Sequence, residues 1–307
     1  MKSLKIHFSN VNFSSSTGPN SFASRLANEL VKKGHSIIPS PSTDIDVFLA
    51  FIEPASQPPP GARFIQRLDG IWFKPEQFHS HNKLIKWAYE NSDHVIWQSE
   101  FDKNMTFKHW GSQPGSVIRN GISPGKKKIV QKELLEIRSK YKKVFVCSAS
   151  WHRQKRLKEN VELFLNQKET YPSSCLIVMG ANPDYYLQHP DIFYTGKVPH
   201  DICLQVYAMS DWMIHLAWLD HCPNVVVEAL SQGCPIICSS SGGTKELVKD
   251  SGIIIEEDIP YEYQLCDYDD PTPITFKNLE LKDIVVENRS DLDIESVAKM
   301  YLSKMRK

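Results

Sequence analysis

Residues 219–235 read LDHCPNVVVEALSQGCP and set two carboxylates, Asp220 and Glu228, eight positions apart around a proline. Pro223 stops an incoming strand, so Asn224 or its neighbours would begin a helix with free N–H groups at its start. Glu228 then falls in the early turns of that helix. A carboxylate there could accept two hydrogen bonds from vicinal hydroxyls, as a ribose presents. Asp220, on the preceding loop, could do the same for a second ring. One loop holding hydroxyl, phosphate and hydroxyl in sequence suits a nucleotide-sugar. An acid that merely stabilises a helix dipole gives the same pattern.

Two further loops carry groups of interest. In SASWHRQKRLKENVE (148–162), Arg153, Lys155 and Arg156 lie after a buried strand and before a helix, a place suited to clamping a diphosphate. A solvated basic helix start is the plainer reading, although cations there oppose the helix dipole, and a bound anion would relieve the repulsion. In STGPNS (16–21), Gly18 and Pro19 precede a helix and could present N–H groups to a phosphate or a sugar; an ordinary tight turn fits equally. The dinucleotide fingerprint G-x-G-x-x-G is absent. His79 and His81 in FHSHN have no third ligand nearby in sequence, so no metal site is expected.

The elements that must position these residues alternate along the chain. LKIHFSNV, SIIPS, DVFLAFI, RFIQRLDG and HVIWQS read as strands, and FASRLANELVKKG and NKLIKWAYENS as helices. Ser99 with Asp102 resembles a capping box. The alternation restarts with KVFVCSAS, a helix over 157–169, CLIVMG, IFYTG, a helix near 200–209, WMIHLA and PIICSSS. Strands apolar throughout, alternating with helices, imply parallel sheets covered on both faces. The expected organisation is a Rossmann-like domain over 1–123, a basic linker over 124–143, a nucleotide-sugar-binding domain over 144–290 and a terminal helix over 291–307. That helix is expected to cross back to the first domain.

Composition narrows the classes. The 307 residues are 41% apolar and 23% charged, as in soluble globular proteins, and 36 basic residues balance 36 acidic ones. No global field favours nucleic acid. No apolar run is long enough to span a bilayer, and the N-terminus enters a strand directly, so a cytoplasmic location is expected. Seven scattered cysteines, with no CxxC pair, read as reduced core residues.

The order VIRNG, SWHRQKRL, LIVMG, FYTGKV and DHCPNVVVEALSQGCPIICSSSGGTKELV resembles retaining glycosyltransferases of family 4 (glycosyl transferases group 1), of GT-B fold. The resemblance covers about 115–255 well and the N-terminal half in outline. It implies two Rossmann-like domains facing each other across a cleft. The implied activity is metal-independent transfer of a sugar, with retention, from a nucleoside diphosphate sugar to an acceptor hydroxyl. No cofactor is implied beyond a UDP- or GDP-linked donor. In the family's E-x7-E arrangement the second acid matches Glu228, expected on the ribose, and the first matches Asp220, expected on the donor sugar. Asn224 and Val225 amides would meet the phosphates with Lys155, and Gly18, Lys197 and Val198 fall at donor-binding positions. The family's Gly-Arg pair aligns with Ala149 and Ser150, leaving Arg153 or Arg156 as substitute. Many relatives have a histidine where FIQRLDG places Asp69, a candidate for orienting hydroxyls; an aspartate serving the turn before Gly70 fits nearly as well. The acceptor class implied is a glycan or a lipid-linked acceptor. Lys126, Lys127 and Lys128 would permit peripheral membrane contact, although a solvated linker accounts for them too. A nucleotide-sugar epimerase or hydrolase, and a non-catalytic nucleotide-sugar-binding subunit, are the alternatives.

Overall fold

A computed structural model describes residues 2–15, 17–123, 125–276 and 279–306. Ser16 of the first loop, Pro124 at the expected boundary and Lys307 lie outside the described residues. The chain divides into two compact units: Met1–Ser123, Tyr263–Cys266 and Ser290–Lys307 form the first, and Pro124–Glu262 with Asp267–Arg289 form the second.

The first unit runs β1 (Lys5–Ser9), α1 (Gly18–Lys32), β2 (Ser36–Ile38), β3 (Val47–Phe51), β4 (Arg63–Leu68), α2 (Pro75–His81), α3 (Lys83–Asn91), β5 (His94–Trp97), α4 (Glu100–Trp110) and β6 (Gly115–Val117). Its six strands pair in parallel in the order β2-β1-β3-β4-β5-β6. All five residues of β3 are buried, as a strand covered on both faces requires. Phe22, Leu26 and Leu30 form one buried stripe of α1. The expected cap forms: Ser99 Oγ accepts a hydrogen bond from the Asp102 amide at 3.1 Å and starts α4.

The second unit runs α5 (Lys132–Lys140), β7 (Lys143–Ser148), α6 (Leu157–Thr170), β8 (Ser174–Met179), β9 (Ile192–Gly196), α7 (His200–Met209), β10 (Trp212–His215), α8 (Asn224–Ser231), β11 (Ile236–Ser239), α9 (Thr244–Val248) and β12 (Gly252–Ile255). Its strands pair in parallel in the order β12-β11-β10-β7-β8-β9. From β7 the chain builds outward through β8 and β9, then returns to lay β10 against the other side of β7. The sheet's switch point therefore lies between β7 and β10, where open parallel sheets bind their ligands.

The last helix, α10 (Ile294–Met305), belongs to the first unit. Val297, Ala298 and Tyr301 enter that unit's core, with the Tyr301 ring 5.9 Å from Phe22. The stretch expected to be a basic linker is instead partly folded. It contains α5, whose Leu134 is buried, and the Lys127 and Val130 amides donate to Gln232 and Gln205 of the second unit. Its charges mask a helix with only one buried side chain. Helices α2 and α9 and strand β12 were not expected as separate elements; each is short. Among the described residues no helix is long and apolar enough to cross a membrane.

Candidate active site

Two loops meet at the switch point of the second sheet. The loop after β7 carries Lys155 and the loop after β10 carries Asp220, and Lys155 Nζ lies 2.5 Å from Asp220 Oδ2. These loops are laced together by backbone and amide bonds. Trp218 N donates to Gln154 O and Gln154 Nε2 donates to Trp218 O, both at 2.9 Å. Asn160, on α6, donates to the carbonyls of Lys155 and Arg156 and accepts from the Leu216 amide. Gly242 closes the far side: its φ is +79°, and a Cβ there would come within 2.6 Å of Asp220 O and 2.8 Å of Asp220 N. The next amide, Gly243 N, donates to Asp220 O at 2.7 Å. Gly242 lets the chain lie directly against the Asp220 backbone, a close approach only glycine permits.

Burial works against the charge of Asp220, but Lys155 and His215 outweigh it and hold the carboxyl far below the usual carboxylate range. His215, the last residue of β10, places Nε2 at 3.4 Å from the same Oδ2. Pro223 caps α8 without a side-chain bond, and Asn224 and Val225 open the helix, both half-buried. Glu228 follows one turn later, buried, with His200 Nε2 at 3.1 Å from its Oε1. His200 starts α7, just beyond Lys197, which is exposed, and Val198, which is half-buried. The structure therefore gathers Lys155, Asp220, Asn224, Val225 and Glu228 around the loops that end β7 and β10.

The neighbouring basic residues divide sharply. Arg153 is exposed and pairs with Glu159 at 2.8 Å. Arg156, offered by the sequence as a diphosphate clamp, is wholly buried and turned inward by a left-handed backbone (φ 52°, ψ 48°). Its Nη1 and Nη2 donate to the two oxygens of Glu257 at 2.7 and 3.0 Å, and Nη2 also donates to Thr272 O at 2.6 Å. That guanidinium is a structural cation, with both Nη groups bonded within the fold.

Asp69 and Gly18 lie in the first unit. Asp69 stands just beyond β4 and forms an ion pair with Arg67, whose Nη2 donates to Asn120 Oδ1 at 2.7 Å. Arg67 is buried, its guanidinium 4.6 Å over the Phe22 ring and 5.0 Å over Phe51. Asp69 is thus the partly buried end of an ion pair, and it precedes Gly70, whose φ is 109°. Gly18 is the first residue of α1, following β1 at that sheet's own switch point between β1 and β3.

Several residues that shape the site carry no local signal. His215 ends an otherwise apolar strand and reads as a core residue. Gln154 and Asn160 look like ordinary polar positions of a loop and a helix. Glu257 sits in an acidic, irregular stretch. A doubled glycine, Gly242-Gly243, is the one feature that sequence could have marked as a site of close backbone approach.

The second unit also matches a known family. Residues 141–264 fit Glycosyl transferases group 1. Comparison with curated proteins gives no match. Among solved structures, a glycosyltransferase from Rickettsia africae is similar at a TM-score of 0.66 and 13% identity, covering 100% of this chain and 98% of that one. HepE from Anabaena, in complex with UDP-glucose, is similar at a TM-score of 0.60 and 16% identity, covering 98% and 95%. Sucrose-phosphate synthase from Thermosynechococcus elongatus is similar at a TM-score of 0.60 and 12% identity, covering 82% and 86%. At these identities the likeness speaks for the fold: two parallel-sheet domains of the GT-B class.

Proposed function

We propose that this chain is a glycosyltransferase that moves a sugar, with retention, from a nucleoside diphosphate sugar to an acceptor hydroxyl of a glycan or a lipid-linked acceptor. The observation that carries the reading is the Lys155–Asp220 pair at the β7/β10 switch point, with the start of α8 and Glu228 following on the same segment. Glu228 accepts hydrogen bonds from the ribose hydroxyls, displacing His200. The α8 amides and Lys155 take the diphosphate, and Asp220 accepts from a hydroxyl of the transferred sugar.

The chemistry then rests on position and charge. The acceptor oxygen attacks the anomeric carbon on the face that the diphosphate leaves, forming one C–O bond as the other breaks. The acceptor proton passes to a leaving phosphate oxygen. Lys155 and the helix N–H groups neutralise the charge that grows on the diphosphate, a task that needs no metal ion. HepE, solved with UDP-glucose, makes that nucleotide-sugar the first donor to try here. Glu228→Ala should weaken donor binding at least tenfold, since it removes a bidentate charged acceptor worth about 1.5–3 kcal/mol. Titration calorimetry with UDP-, GDP- and other nucleotide-sugars measures this. A variant that binds the donor as tightly as the parent would overturn the assignment.

A further inference from the structure

Asp220 carries two cation-forming groups on one oxygen. Lys155 Nζ and His215 Nε2 both approach Oδ2, at 2.5 and 3.4 Å, while no hydrogen bond reaches Oδ1 among the described residues. His215 is 4% exposed, and its Nε2 is sealed from solvent without a hydrogen-bond partner. Such a group is costly to bury. The rest of β10 is Trp212, Met213 and Ile214, all buried, so an apolar residue would end the strand without that cost. Packing therefore does not account for a histidine here.

The need for it arises when Lys155 has a second anion to serve. The side chain of Asp220 is 14% exposed, and a carboxylate so far out of water needs a cation or donor to stay charged. In the ligand-free chain Lys155 makes the shorter contact, at 2.5 Å, and His215 the longer one, at 3.4 Å. A diphosphate draws the same ammonium away. We propose that His215 is a positioning residue of the donor site, holding Asp220 by Oδ2 when Lys155 turns to the diphosphate and so leaving Oδ1 for a hydroxyl of the transferred sugar. The inference rests on the proposed function for the sugar, but the contact itself does not.

Two measurements test it. Without ligand, thermal unfolding of Lys155→Ala, His215→Leu and the double variant should show a double loss larger than the sum of the single losses. That excess should vanish when Asp220→Asn is added; additive losses would overturn the holding role. With ligand, titration and turnover use UDP-glucose and GDP-mannose, each beside its free diphosphate. His215→Leu should lower kcat, or nucleotide-sugar affinity, about tenfold or more beyond whatever loss it causes in free-diphosphate affinity. His215→Gln, which restores a donor and guards against misfolding of the leucine variant, should recover most of that loss. Equal losses for the free diphosphate and the nucleotide-sugar would overturn the positioning role. A wild type that binds none of the four probes overturns the donor-site reading and the sugar role with it, whatever the ligand-free cycle shows.

Discussion

Lys155 and Arg156, adjacent and equally charged, should fail in different ways when truncated. Arg156→Ala removes both bonds to Glu257 at a place where the guanidinium side chain is 0% and the carboxylate 2% exposed. Among the described residues, Ser241 Oγ, at 2.8 Å, is then the one strong partner left to that carboxylate, with Thr272 Oγ1 further off at 3.5 Å. Breaking one side of a buried pair costs about 3–5 kcal/mol. For a domain of this size each kcal/mol lowers Tm by about 2–4 °C, so the transition of the second unit should move down by about 6–20 °C. Lys155 differs, being 18% exposed beside a carboxylate that keeps some solvent and His215. Lys155→Ala should cost less stability and instead weaken diphosphate binding about tenfold to a hundredfold, the value of one charge-assisted hydrogen bond.

Calorimetric melting of both variants, with UDP and GDP titrations, separates the two effects. A control comes from removing both charges at once: Arg156→Met with Glu257→Leu should recover most of the lost stability, because no orphan charge is left behind. An Arg156→Ala variant that melts within about 2 °C of the parent while losing diphosphate affinity would refute this division of roles. That result would make Arg156 the anion clamp and the Glu257 contact dispensable.

Other consequences are open to measurement. Gly242→Ala should destabilise the second unit and weaken donor binding, since its Cβ would press on the Asp220 backbone; Gly34→Ala, at a similar φ but with nothing within 4 Å, should cost backbone strain alone. Paired denaturant curves for both variants would show the difference, and equal losses would refute the close approach. Asp220 titrates far below its unfolded value near 3.9, so its ion pairs stabilise the fold fully above that pH, and the contribution shrinks progressively as pH falls from there towards the depressed folded value. The stability gap between wild type and Asp220→Asn should therefore stay flat from pH 8 to pH 5, as urea titrations at each pH would show. Of the seven cysteines, only Cys203 and Cys266 are half-buried, and burial pushes the Cys203 thiol up to about 11. A thiol reagent should label Cys266 first in the native protein and all seven in denaturant.

How much of this was legible follows from the distance over which each signal acts. Val47–Phe51 and Ser174–Met179 are buried at every position, so both sheets announce themselves as unbroken apolar runs. Asp220 and Glu228 were legible as a pair because they share one strand–loop–helix segment, where spacing alone says which end of the sheet they occupy. Arg153, Lys155 and Arg156 show where that reach ends. Charge and position make them equivalent candidates, yet only Lys155 meets Asp220, 65 positions away, because β10 returns to lie beside β7. Arg156 leaves the site because a left-handed residue turns it towards Glu257, 101 positions on. His215 is hidden for a related reason: on its own strand it is one polar residue among apolar ones, and its partner stands on the next loop. Local pattern places the loops, while strand order decides which of their side chains touch. The switch point is where these two kinds of information combine, which is why the residues with the least local signal gather around Asp220.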